Sequence, residues 1–311
     1  MCLIVLVPFG PVFDCGASTP HIYSHRATVE REMTKIYVSK GTAGEQAGYV
    51  LNVYTSCDHG CKYCYTKQGV FRHLSAQPVV PRTRFKDVAR QLKERRIDSR
   101  TRMDQETPIL LSLMSDPYNR KELSYGHTRD VLTLLLERGA RVSVLTKGGR
   151  RCLRDLDLLC AHHDRVAVGA TLTFITPSDS RRWEPHAALP RERIDALRIL
   201  HNNGIQTWAS IEPVLDPEQS LRVIEEAAEW VDAFRIGKLN HGDALDRLYD
   251  KELPVSLTEI ENSVDWGQFG RDAIALLEGL GKSYGINHGL RVAMRHPLKP
   301  GSKLTGTRVN A

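Results

Sequence analysis

Tyr54-Thr-Ser-Cys57-Asp-His-Gly-Cys61-Lys-Tyr-Cys64-Tyr65 is the stretch on which the reading of this chain turns. Three of the seven cysteines fall within eight residues, spaced C-x3-C-x2-C, and no further cysteine follows until Cys152. Thiolates at this spacing, on a glycine-containing loop, converge on one metal centre. An electron-transfer iron–sulfur cubane normally takes four cysteine ligands. Three close ligands without the fourth point to a cubane with one iron left open for another molecule. The alternative is a zinc site completed by a histidine such as His59 or His73. Structural zinc sites usually show two separated ligand pairs, and the sequence holds no second C-x2-C pair.

Outward from this stretch, from Tyr49 on, short apolar runs alternate with longer amphipathic ones, the pattern of βα units around a parallel sheet. Strands are expected at 49–54, 109–114, 141–146, 165–174, 206–211 and 233–239, with a short one near 290–292. Helices are expected at 85–97, 128–138, 153–161, 191–202, 220–230 and 269–280, two of them closed by Gly139 and Gly204. Six strand–helix pairs make an incomplete version of the eight-unit barrel, a partial (β/α)6 TIM barrel. In such barrels the C-terminal ends of the strands build the active site. Here those ends carry Cys57, Cys61 and Cys64, then Asp116, Lys147, Thr171 with Thr173, Glu212, and Lys238 with Asn240. One polar residue at a strand end means nothing. The same placement on six consecutive strands marks that end of the barrel as the candidate site.

Hydrophobic residues at 41% and charged residues at 26% are ordinary for a globular chain, and they exclude global disorder. The apolar run at 3–7 is broken by Pro8, Gly10 and Pro11, far short of the ~20 residues of a membrane span. It also lacks the basic segment that precedes a secretory signal core. A cytoplasmic protein without a membrane partner is expected, and clustered thiols fit a reducing compartment. The net charge of +6 is uneven: residues 291–311 hold five Lys or Arg and no acid. Residues 82–102 hold nine Lys or Arg against three acids. Both stretches are able to steer a phosphate backbone, and a solvated helix face followed by a flexible loop is the alternative reading of the second. The chain divides into an irregular extension at 1–40, of which 1–32 is expected to be dispensable, a catalytic domain at 41–290, and a basic tail at 291–311.

With these residues in view, the chain resembles the spore-photoproduct-lyase-like branch of the radical S-adenosylmethionine (SAM) superfamily, from about Lys40 to Arg291. The resemblance rests on Lys40-Gly-Thr-Ala-Gly-Glu45, Asn52-Val-Tyr-Thr-Ser-Cys-Asp-His-Gly-Cys-Lys-Tyr-Cys-Tyr65, Ser115-Asp-Pro-Tyr118 and Leu145-Thr-Lys-Gly148. It implies that Cys57, Cys61 and Cys64 hold a [4Fe–4S] cluster whose open iron is chelated by SAM. One electron from the cluster then cleaves SAM to a 5′-deoxyadenosyl radical that takes hydrogen from a substrate. It also implies that Tyr63 lies against the SAM adenine, Ser115 and Asp116 near its amino group, and Lys147 near its carboxylate. Thr171, Thr173 and Glu212 would hold the ribose hydroxyls and the methionine moiety. Tyr63 and Tyr65 match tyrosines that flank the lyase's third cysteine and relay hydrogen.

One departure matters. True spore photoproduct lyases carry a cysteine just before the Ser-Asp after strand two, and this chain reads Leu111-Ser-Leu-Met-Ser-Asp116 there. Cys152 and Cys160, on the third expected helix, are expected to be buried, inert thiols. The expectation is therefore a relative of the lyase with a different substrate, still a nucleotide or nucleic acid, reduced by a flavodoxin- or ferredoxin-type donor. A peptide or small metabolite is the alternative substrate. A zinc-binding module on nucleic acid, without catalysis, is the alternative of another class.

Overall fold

The computed structural model describes residues 34–39, 47–68, 71–239, 242–249 and 252–295. At its centre is an eight-stranded sheet whose strands follow one another in chain order. They are β1 (Tyr37–Val38), β2 (Tyr49–Leu51), β3 (Ile109–Leu111), β4 (Val142–Thr146), β5 (Val166–Thr171), β6 (Gln206–Val214), β7 (Ala233–Lys238) and β8 (Ser283–Ile286). β1 runs antiparallel to β2, and every later neighbouring pair is parallel. Parallel neighbours need long crossovers, which helices supply. β1 and β8 remain the two edges, so the sheet does not close and forms the partial barrel that the alternating pattern predicts.

The crossovers carry α1 (Arg72–Ser75), α2 (Phe85–Glu94), α3 (Glu122–Tyr125), α4 (His127–Glu137), α5 (Leu156–Ala161), α6 (Pro177–Trp183), α7 (Pro190–Asn202), α8 (Pro217–Ala227), α9 (Gly242–Tyr249), α10 (Leu257–Ser263) and α11 (Trp266–Gly279), with α12 (His288–Arg295) following β8. Starts are encoded locally. Asp216, Ser256 and Asp265 each accept from the backbone amide three residues on, at 3.0, 3.1 and 2.9 Å. Proline opens α6, α7 and α8, where its missing N–H costs nothing.

Two apolar clusters lie between sheet and helices. Val142, Val144, Val166 and Val168 pack with Leu132 and Leu135 of α4 and Ala196 and Leu200 of α7. Ala209, Ile211, Phe234 and Ile236 pack with Val223 and Ile224 of α8 and Phe269, Ala273 and Leu277 of α11. Each such side chain, fully buried, contributes ~1.5–3 kcal/mol. Strand alternation turns the intervening residues toward the concave face.

Three expectations change. The last strand is Ser283–Ile286, while 290–292 belongs to α12, with Leu290 fully buried and packed with Ala293 and Met294. A three-residue apolar run cannot reveal its own period, and only the helical partners three and four residues on decide it. The helix expected at 153–161 begins as a 3-10 turn, Gly149–Asp155, before α5. The sheet starts inside the segment taken as an irregular extension, because β1 precedes residue 41, and α12 runs across the boundary at 290. Residues 1–32, the Lys40–Glu45 motif, Asn240 and the tail beyond 295 lie outside the described residues. No described helix is long and apolar enough to cross a membrane.

Candidate functional site

Because β2 to β7 run parallel, their C-terminal ends share one edge, and the cysteine loop leaves β2 there. Its entry is stitched to the loop after β3. Asn52 Oδ1 accepts from the amides of Leu113 and Met114 at 3.0 Å each, and its Nδ2 donates to the Tyr37 hydroxyl. The amides of Val53 and Tyr54 donate to the hydroxyls of Ser112 and Ser115 at 3.2 and 3.4 Å. Further along, the loop leans on the segment after α6. The Lys62 amide donates to the Trp183 carbonyl at 2.9 Å, and the His186 amide donates to the His59 carbonyl at 3.1 Å. Gly60 turns the chain between them at φ 72°, and a Cβ there would stand 3.2 Å from Pro185. Cys61 is buried, and Cys57 and Cys64 are half-buried.

Asp116 is the knot beneath this loop. Its Oδ1 accepts from the Tyr118 amide at 2.7 Å and the Thr146 hydroxyl at 2.6 Å. Its Oδ2 accepts from the Lys147 amide at 2.6 Å and lies 3.0 Å from His59 Nε2. Burial alone would raise the carboxyl, but His59 and these hydrogen bonds outweigh it and hold Asp116 far below the usual carboxylate range. The aspartate expected beside a ligand amino group is thus committed within the chain. It joins the ends of β3 and β4 to the cysteine loop.

Lys147 reaches the same loop from β4, its Nζ 5.6 Å from the centre of the Tyr63 ring. The buried Tyr63 hydroxyl donates to Glu184 and lies 3.1 Å from Thr173 Oγ1. Glu184 is paired with Arg193, and both side chains are almost wholly buried. Arg193 also donates to the carbonyls of Ala188 and Thr171 at 2.7 and 2.8 Å. Thr171 and Thr173 therefore meet this network, one through its carbonyl and the other through its hydroxyl. Burial opposes the charge of Glu184, yet Arg193 and Lys147 hold its carboxyl below the usual range. Burial likewise opposes the Lys147 charge, and Cys61 and Glu184 more than restore it.

Glu212 and Lys238 engage other partners. Glu212 Oε1 accepts from Asn287 at 2.7 Å across Gly237, where a Cβ would stand 2.7 Å from the carboxyl carbon. Lys238 pairs with Glu261 of α10 and lies 5.3 Å from the Trp266 ring. Tyr65, 40% exposed, donates to the Leu113 carbonyl at 2.8 Å. Cys152 is buried behind β4 with its thiol on the Gly149 carbonyl, and burial raises it to about 12. Cys160 is half-buried on α5.

The donor set of the loop fits an iron–sulfur cluster. It is all thiol, and burial raises Cys61 to about 12 against the pull of Lys147, and Cys57 well above the ordinary value. Such thiols ionise only when a strongly positive group stands between them. Among the described residues no three Cys, His, Asp or Glu side chains are gathered as around a single metal ion. The His59 imidazole, a candidate zinc ligand from the sequence, faces Asp116.

Sequence reasoning missed Glu184 and Arg193. One signal was available: Arg193 occupies the buried face of α7 with Ala196, Leu197 and Leu200. Arginine is almost never fully buried unless it is paired, so a partner had to exist.

The family model described as "Radical SAM superfamily" matches residues 51–231. An uncharacterized protein of Methanocaldococcus jannaschii is 31% identical over 172 residues, covering 54% of this chain and 61% of that protein. An uncharacterized protein of Acidianus two-tailed virus is 24% identical over 225 residues, 67% of this chain and 70% of the viral protein. The chain spans about half the length of an uncharacterized protein of Mycobacterium tuberculosis, 30% identical over 176 residues and covering 54% of this chain and 49% of that one. Among solved structures, a spore photoproduct lyase variant superposes with TM-score 0.61 at 14% identity, covering 89% of this chain and 87% of the lyase. SuiB of Streptococcus suis bound to S-adenosylmethionine gives TM-score 0.57 at 12% identity, covering 78% of this chain and 51% of SuiB.

Proposed function

The chain belongs to the radical SAM superfamily, and from that premise we propose that it binds a [4Fe–4S] cluster through Cys57, Cys61 and Cys64 and uses SAM to abstract hydrogen from a nucleotide or nucleic acid. The observation that carries this reading is the all-thiol loop at the C-terminal edge of the parallel strands, with the charged Lys147 against it. When bound, cluster and SAM together supply a 5′-deoxyadenosyl radical, and the protein supplies position and exclusion of water. Lys147 is the cation for the SAM carboxylate, since a charge-assisted hydrogen bond gains strength in a desolvated pocket. The Tyr63 ring, fixed through Thr173 and Glu184, is a flat wall for the adenine. Asp116 and Ser115 act one step back, holding the loops in register. A flavodoxin- or ferredoxin-type protein is the electron source, and the cytoplasm is the compartment.

The nucleotide reading is supported by the extent of the likeness to spore photoproduct lyase, which covers most of both chains, whereas only about half of SuiB is matched. One such lyase structure holds a dinucleoside spore photoproduct, and one SuiB structure holds a precursor peptide. Photoproduct repair itself is not proposed: by the resemblance, Met114 falls where the lyases carry their hydrogen-donor thiol.

Anaerobic reconstitution tests the proposal, with an expected load of about four irons per chain. Cys57→Ala, Cys61→Ala and Cys64→Ala each abolish that load, while Cys152→Ala and Cys160→Ala retain it. Deuterated oligonucleotides should then pass deuterium into 5′-deoxyadenosine. Transfer only from deuterated peptides overturns the substrate class, and colourless protein with one zinc overturns the reading entirely.

A further inference from the structure

We propose that Glu184, clamped by Arg193, is the negative member of a buried charge set that, together with Lys147, sets how readily the cluster at the cysteine loop accepts an electron. This rests on the radical SAM reading and adds a tuning device that the cysteine motif alone does not contain.

The geometry places the set against the loop. Residues 183–188 are bound to both sides of the site: the Trp183 carbonyl accepts from Lys62, the His186 amide donates to His59, and the Ala188 amide donates to the Lys147 carbonyl at 3.0 Å. Glu184 therefore rides on the backbone that cradles Cys61. Its carboxylate receives the Tyr63 hydroxyl, the Ser180 hydroxyl at 3.3 Å and the Arg193 guanidinium. The surroundings are apolar, since Cys61 and Tyr63 share one cluster with Phe174, Trp183 and Leu215.

Holding a tyrosine ring does not require buried ions. A neutral acceptor would bind the Tyr63 hydroxyl, and replacing a buried ion pair by apolar groups is often neutral or stabilising. Charge has a use here because reduction potentials of iron–sulfur clusters respond to nearby net charge, hydrogen bonding and exposure. While Asp116 acts as a further anion on Cys57 from beneath the loop, two cations and one anion within this set leave one net positive charge in a water-poor pocket. That charge favours the reduced, more negative cluster, and Glu184 limits how far.

The prediction is a pair of shifts with opposite signs. Reconstituted protein is titrated electrochemically without SAM, with the reduced cluster read by electron paramagnetic resonance. Glu184→Gln keeps the shape and removes the anion, so the midpoint rises. Lys147→Met removes a cation, so it falls. Each shift should reach at least tenfold in electron affinity, ~59 mV for one electron. Tyr63→Phe changes no charge and should move the midpoint less than either. Shifts of the same sign, or both below that size, overturn the proposal in favour of simple bracing. Should Glu184→Gln fail to fold, the half-buried Lys147→Met decides alone, and an unmoved or raised midpoint refutes the idea. A wild-type chain that takes up no four-iron cluster instead removes the radical SAM reading, and this inference with it.

Discussion

Asp116→Asn is the sharpest test of how the site is held. The substitution preserves shape and removes one charge. A single amide oxygen can keep the Tyr118 amide at 2.7 Å and the Thr146 hydroxyl at 2.6 Å. The other position becomes an NH2 group facing the Lys147 amide at 2.6 Å and His59 Nε2 at 3.0 Å. A donor then meets a donor. Losing a hydrogen bond to a charged acceptor costs ~1.5–3 kcal/mol, and leaving a buried amide unsatisfied costs a further ~1–3 kcal/mol. The sum, ~2.5–6 kcal/mol, brackets the ~3–5 kcal/mol penalty for breaking a buried pair by removing one partner. Urea unfolding of the metal-free chain, followed by circular dichroism, should show that loss as a lower midpoint with unchanged slope. Iron retention should fall too, since the cysteine loop loses its anchor through His59. A loss below ~1 kcal/mol together with weakened SAM binding would refute the bracing role. It would return Asp116 to the ligand contact that the family resemblance implied.

Other consequences are quickly stated. Burial between Tyr54 and Phe85 lowers the pKa of His127. As pH falls through the ordinary histidine value, ~6.5, the unfolded chain takes up a proton that folded His127 refuses. Stability should therefore drop by up to ~1.4 kcal/mol per pH unit until His127 itself protonates. Denaturation midpoints of His127→Leu measured from about pH 7 to about pH 5 should lack that part of the slope, and identical slopes would show that His127 is not held neutral. Gly237→Ala should displace Glu212 or Asn287, because the new Cβ would stand 2.7 Å from the Glu212 carboxyl carbon; a variant of unchanged stability would show that this crossing is loose. Leu135→Ala, in the fully buried face of α4, should cost ~2–5 kcal/mol in the same unfolding assay.

The sequence was most legible where one residue type at one spacing has one physical use. Parallel strands buried on both faces read as apolar runs, and β3 and β4 lie within the expected ranges. The place of the cysteine loop was legible too, since it follows β2 at the edge where the parallel strands end. Glu184 and Arg193 were not legible as a site. They are nine residues apart, yet their pairing depends on α6 and the turn after it delivering Glu184 to the base of α7. Nothing in a propensity or a period encodes that turn. α9 and α10 escaped for a related reason: they are short, and the face of Leu245 and Leu257 makes sense only against Cys61 and Trp183.

The same contrast explains why Asp116 reads differently in sequence and in space. A strand-end aspartate looks like a group presented to a ligand. Its fate is set by which amides converge on it, and those belong to Tyr118 and Lys147, two residues and thirty-one residues away. A carboxylate saturated from both directions gains rigidity and loses reach. The cation one position after Thr146 keeps its reach, because the backbone of Lys147 anchors on Asp116 while its side chain extends toward Tyr63. Asp116 and Lys147 are thus neighbouring groups on adjacent strand ends, and the proposed SAM contact falls to the one whose charged atom is directed at the loop. On this argument Lys147, not Asp116, is where a substitution should separate SAM binding from stability.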